Sequence, residues 1–220
     1  MNGPVLQLLV LAGIAIFLIL RLRSVLGTRE GFEKKPSLER PADRRGPRPE
    51  LEVIEGGPDR DITDHVPEKS DAARALADMK RADPSFSVGE FLHGARGAYE
   101  MILMAFEHGD LASVRPFLSD EVYEAFAQVV EQREREGLQV EAKFEGLNEL
   151  TLSDAEYDSE STEGEVSVRF VSEMIWAVRD RAGDIVEGSL TERRRQKDVW
   201  TFARVMTSDD PNWQLVATGE

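Results

Sequence analysis

The sequence predicts an α+β domain that follows an apolar N-terminal segment and a polar linker. Residues 5–20 are almost entirely apolar, and residues 27–82 are rich in proline and charge. Beyond them the hydrophobic period is 3.6 up to Gly137 and 2 after it, which indicates helices first and strands later. Helices followed by consecutive antiparallel strands imply helices packed on one face of a curved sheet.

Composition excludes several classes of protein. The 220 residues include 27 basic and 42 acidic side chains, a net charge of −15, which argues against a partner that is a nucleic acid. Residues 1–83 carry 14 of each sign, whereas residues 84–220 carry 13 basic and 28 acidic side chains, so the net charge lies in the predicted domain. The absence of cysteine excludes disulfides, thiol catalysis and cysteine zinc sites.

The N-terminal apolar segment has the composition of a membrane anchor. Its sixteen residues contain Gln7 as the one polar member. As a helix it would rise roughly 24 Å, and the arginines that follow can snorkel to reach the edge of a bilayer core of about 30 Å. A cleaved signal peptide is the alternative, but no basic residue precedes the segment and no small-residue cleavage site follows it. We expect an uncleaved anchor over residues 1–26 that includes Val5, Leu9, Ile14, Phe17, Leu20, Arg21 and Arg23.

The orientation of this anchor follows from the flanking charge. Lys and Arg lie after the segment and none lies before it. The positive-inside rule therefore predicts that residues 27–220 are cytoplasmic, and a periplasmic location is the alternative. Lipids of the inner membrane are the partner that this segment predicts.

Residues 27–82 are predicted to form a disordered linker. Six of the ten prolines fall between Pro36 and Pro67, and no aromatic residue occurs between Phe32 and Phe86. Such a segment buries too little apolar surface to offset the entropy of ordering. A short helix over 71–81 is an exception, although its weak apolar face needs a partner surface. The predicted domain then spans residues 83–220.

Two longer helices open the domain. The first begins at the capping box Ser87-x-x-Glu90 and ends at Gly109. Gly94 and Gly97 lower its helix propensity, so we expect close backbone packing there. A second helix begins at Ser119 and ends at Gly137; its predicted inward residues are Val122, Phe126, Val129 and Val130.

Alternating hydrophobicity predicts strands over 138–152, 165–179 and 185–203, with a hairpin turn at 181–184 and a last strand near 213–217. Large apolar residues on the first helix and on the inward strand faces form either the core or the lining of a ligand or partner pocket. These residues are Tyr99, Phe106, Phe170, Met174, Trp176, Trp200 and Phe202.

Candidate catalytic residues are few. His93 and His108 lie on one predicted helix, and His108 is placed to satisfy carbonyl groups at its C-terminus. The strand face that carries Phe170 and Trp176 holds no Asp, Glu or His, so we expect no acid–base pair in the interior. Phosphate loops, metal-ligand spacings and nucleophile elbows are absent from the sequence. We predict a protein that is not an enzyme and holds neither metal nor cofactor.

One basic run stands out in the acidic domain. Arg193, Arg194 and Arg195 are consecutive within the predicted third strand. They form either a local contact site for an acidic partner or an exposed strand edge that carries charge.

Several motifs resemble those of the Tim44-like domain family. At the start these are Asp83-Pro84-Ser85-Phe86 and Glu90-Phe91-Leu92-His93-Gly94-Ala95-Arg96, and at the end Asp198-Val199-Trp200-Thr201-Phe202-Ala203-Arg204 and Asp210-Pro211-Asn212-Trp213. The resemblance covers residues 83–218, and the whole layout is similar to that of bacterial TimA-type members. It implies a cone-shaped fold like that of nuclear transport factor two, with helices around a bent sheet and a hydrophobic pocket between them.

The resemblance also implies a role. It suggests a non-catalytic adaptor at the bacterial inner membrane, similar to the mitochondrial tether of the import motor and linked to protein translocation or to quality control of membrane proteins. Its protein partners are unidentified. A module that binds an apolar ligand or lipid in the cone, and an enzyme of the cone fold, are the alternatives.

Overall fold

The structure is a computed structural model and describes residues 58–219. Its helices are α1 (Arg60–Thr63), α2 (Asp71–Ala82), α3 (Val88–His108), a 3₁₀ helix (Leu111–Phe117) and α4 (Asp120–Glu136), and its strands are β1 (Gln139–Asp158), β2 (Glu163–Arg179), β3 (Ile185–Val205) and β4 (Gln214–Gly219). Helices thus precede strands, as the α+β prediction requires. No helix within this range is long and apolar enough to cross a membrane, and the predicted anchor at residues 5–20 lies outside it.

All four strands form one antiparallel sheet in the order β1-β2-β3-β4. Three register shifts interrupt the pairing of β1 with β2, and such bulges bend a strand. From Val166 to Met174, alternate residues of β2 are buried, as the predicted period of 2 requires, and the apolar ones belong to the core. The core lies between this face of the sheet and the helices.

The long helices begin and end where the local sequence signals predict. The Ser87 hydroxyl accepts a hydrogen bond from the Glu90 backbone N–H at 3.4 Å, and the Ser119 hydroxyl accepts one from Val122 at 3.2 Å. Gly109 and Gly137 end the two helices with φ angles of 76° and 70°, a conformation that glycine adopts without steric cost.

The boundary of the domain requires a correction. The predicted helix over 71–81 corresponds to α2, but residues 58–82 do not form a linker: Leu76 and Met79 are completely buried in the main core. The weak apolar face of α2 gains the partner surface it needs from β1. Arg204 on β3 also forms an ion pair with Asp83 at the end of α2. The folded domain therefore begins near residue 58 rather than at residue 83.

A polar clamp holds the segment before α2 against α3. The Asp61 carboxylate accepts hydrogen bonds from the backbone N–H groups of Val88 at 2.8 Å and Gly89 at 2.9 Å. It also forms an ion pair with Lys80 at 2.7 Å. An acidic side chain suits this place, because the N-terminus of α3 presents unpaired N–H groups and a partial positive charge.

Helix α4 covers less of the sheet than the sequence predicts. Only Val122 of its four predicted inward residues is buried; Phe126 and Val130 are half-buried, and Val129 is 38% exposed. The helix packs against the 3₁₀ helix and β4, so its second half leaves an apolar face partly open.

The glycines within α3 also differ from expectation. A Cβ atom built on Gly94 or Gly97 would meet no atom within 4 Å, and both residues are exposed. Close backbone packing was expected at these two positions, and the structure corrects that expectation.

Candidate functional site

Five of the seven predicted pocket residues form a packed aromatic cluster inside the domain. The Tyr99 ring on α3 stacks on Phe170 of β2 with centroids 4.3 Å apart and 9° between the planes, and Trp200 of β3 lies 4.7 Å from it. Met174 and Phe202 are also buried in the same core. These side chains pack together between α3 and the sheet.

A buried polar cluster lies beside these rings. The Tyr99 hydroxyl donates a hydrogen bond to Oδ2 of Asp198 at 2.5 Å, and its oxygen lies 2.9 Å from the hydroxyl of Ser172. The Gln196 side-chain amide donates to Oδ1 of Asp198 at 3.1 Å. Asp198 is 8% exposed and Ser172 is completely buried.

Asp198 adds a buried carboxylate from β3 that the sequence analysis did not place in the interior. In the ladder between β2 and β3 it lies opposite Phe170, on the inward face. The sequence analysis considered the inward face of β2 alone and missed it. A signal was present, because Asp198 shares the alternation of Trp200 and Phe202, which were predicted to face inward.

The protonation of Tyr99 follows from its surroundings. Burial raises the pKa of the Tyr99 phenol, and the nearby charge of Asp198 raises that pKa further. The phenol therefore keeps its proton and acts as a hydrogen-bond donor. With aromatic rings packed around it, the cluster of Tyr99, Ser172 and Asp198 joins α3 to two strands.

The other two predicted pocket residues, Phe106 and Trp176, lie at a partly open rim. Both are half-buried, and Phe106 contacts Phe126 of α4 with ring centroids 4.5 Å apart. The Trp176 indole N–H donates a hydrogen bond to the Glu107 carboxylate at 3.2 Å, and Arg133 forms an ion pair with the same carboxylate at 3.2 Å. We call these five residues the rim. The rim exposes aromatic surface next to the ion pair of Glu107 and Arg133, whose opposite charges largely cancel.

The arginine run lies on β3 beyond the end of β4, which pairs only with residues 199–203. Arg193 forms an ion pair with Glu145 at 3.1 Å, and Arg195 forms one with Glu149 at 2.9 Å. Arg194 stands over the ring of Trp176, 5.7 Å from its centroid. Two of the three charges are thus compensated by glutamates of β1 across the sheet.

The two candidate catalytic histidines lie apart from the polar cluster. His93 and His108 are exposed on α3, and His108 occupies the last helical position as predicted. Within residues 58–219, no three His, Asp or Glu side chains are grouped in a way that would hold a metal ion.

Motifs from the two ends of the domain meet at a cleft of about 370 Å³. Its lining includes Asp83, Ser85, Arg204, Asp209 and Pro211. The Arg204 guanidinium forms an ion pair with Asp83 and also lies over the ring of Trp213, 5.4 Å from its centroid. Arg204 therefore connects the end of α2 to the loop that precedes β4.

Comparisons with known proteins agree with these motifs. Residues 72–220 match the family model described as the Tim44-like domain. Over 162 residues the chain is 23% identical to the mitochondrial import inner membrane translocase subunit TIM44-1 of Arabidopsis thaliana, covering 71% of this chain and 34% of the relative. It is 22% identical over 151 residues to subunit TIM44 of Homo sapiens, covering 67% and 33%. The chain thus spans about a third of the length of these curated relatives.

One solved structure is also similar in part. The crystal structure of the intermembrane space region of chloroplast protein ARC6 gives a TM-score of 0.39 at 13% identity, covering 58% of this chain and 93% of that one. A likeness of this size supports no conclusion about this chain.

Proposed function

We propose a function from the premise that this chain belongs to the Tim44-like domain family, whose model matches residues 72–220. The proposed function is that of a non-catalytic adaptor in protein translocation. The observation that carries it is the family match, together with relatives named as subunits of a mitochondrial import translocase. The names state only that the relatives are translocase subunits, and the chain spans about a third of their length, so the adaptor role is our proposal for this chain.

The place of action in this proposal is the inner membrane of a bacterium. The apolar residues 5–20 would span the bilayer once, and the basic residues that follow them favour a cytoplasmic domain. Residues 27–57 would then act as a tether. An adaptor of this kind keeps a binding domain at the membrane surface without chemistry of its own.

The packing of the interior supports a role in binding. Tyr99, Phe170 and Trp200 pack against one another inside the domain. The buried carboxylate of Asp198 is already bonded to the Tyr99 hydroxyl. A domain with such an interior would bind its partners through its outer surface. An enzyme of the cone fold instead needs space for a substrate beside its acid–base groups.

Depletion of the protein in cells tests this proposal. Newly made proteins that must enter or cross the inner membrane are followed by pulse-chase labelling. We expect their translocation to slow on depletion, and the full chain to restore it. A chain without residues 1–26 should fold but fail to restore it. Unchanged translocation in depleted cells would show that the proposed role is wrong.

A single observation favours a second candidate, a module that binds an apolar ligand. The rim exposes part of Phe106, Phe126 and Trp176, and α4 leaves this surface incompletely covered. A ligand at the rim needs no displacement of the packed core. Native mass spectrometry of the protein with a Phe126→Glu substitution tests this candidate, with Gln128→Glu at an exposed position of the same helix as control. Loss of a co-purified lipid from the first variant alone would support it.

A further inference from the structure

We draw no further inference here: the strongest candidate, the exposed guanidinium of Arg194 over Trp176 beside the rim and the partly open face of α4, belongs to the surface already described for the second candidate function, and nothing among residues 58–219 shows what covers it.

Discussion

At the scale of single residues, two carboxylates hold the domain together in different ways. Asp61 lies at the N-terminus of α3 and receives backbone and lysine hydrogen bonds, whereas Asp198 lies in the interior and receives the Tyr99 hydroxyl. Neither role was evident from the sequence. Asp61 falls in a segment whose composition is that of a linker. The alternation of Asp198 with Trp200 and Phe202 indicates an inward position, but its contact with Tyr99 joins residues that are distant in sequence.

Asp61 gives a pH-dependent contribution to stability. Burial opposes its ionisation, but hydrogen bonds from Lys80 and from the backbone of Gly89 and Val88 outweigh burial and lower its pKa from 3.8 to about 2. The folded state thus favours the ionised form. Its contribution is present above pH 4 and is lost as the pH falls from about 4 towards 2.

We therefore expect Asp61→Asn to lower the free energy of unfolding by about 2 kcal/mol near neutral pH. The difference between the native chain and the variant should shrink as the pH falls below 4. Urea denaturation over a pH series measures it. A difference that stays constant from pH 7 to pH 2 would contradict this account of the clamp.

Tyr99→Phe tests the buried polar cluster. The substitution keeps the ring stacked on Phe170 but removes the hydroxyl that donates to Asp198. We expect a loss of about 1–3 kcal/mol in the free energy of unfolding, because a buried acceptor loses its partner. Tyr123→Phe is the matched control: Tyr123 is half-buried, and within residues 58–219 its hydroxyl makes no hydrogen bond. Equal effects in the two variants would refute the role of the Tyr99 hydroxyl.

At the scale of elements, local signals and tertiary packing differ in how well they can be predicted. The ends of α3 and α4 were predicted because Ser87, Ser119, Gly109 and Gly137 act within a turn of their own positions. The packing of α2 on β1 and the open face of α4 were not predicted, because both depend on residues that are distant in sequence. The period of 2 after Gly137 predicted strands but not the bulges of β1.

Glycines of α3 provide a test with opposite signs. Gly94 is exposed within the helix with free space at its Cβ position, whereas Gly109 ends the helix at a φ angle of 76°. We expect Gly94→Ala to raise the free energy of unfolding by about 0.5–1 kcal/mol and Gly109→Ala to lower it by about 1 kcal/mol or more. Thermal unfolding followed by circular dichroism compares them. Destabilisation by Gly94→Ala would instead indicate a contact at that face.

Helix α2 is predicted to be part of the cooperative fold. Leu76 is completely buried in the core, so Leu76→Ala should lower the free energy of unfolding by about 2–5 kcal/mol. Arg74→Ala on the exposed side of the same helix should change it by less than about 0.5 kcal/mol. If both variants unfold like the native chain, α2 belongs to the linker after all.

At the scale of the whole molecule, the fold class and the family could be predicted from the sequence, and the state of the interior could not. Motifs near residues 83 and 210 predicted the family, and they meet around Arg204 in the structure. Candidate pocket residues such as Tyr99 and Phe170 were identified correctly as inward, but whether an inward aromatic residue lines a cavity or fills it depends on how closely its neighbours pack.

The most direct test of the central claim is site-specific photocrosslinking at a membrane. A photoreactive amino acid replaces Val129, which is exposed on α4, in the full chain. Membrane vesicles then receive a labelled polypeptide that is arrested during translocation. The account predicts a crosslink from this position to the arrested polypeptide or to the channel subunit that holds it. A chain that remains in the membrane fraction yet crosslinks to neither, above the level of an unrelated anchored protein, would contradict it.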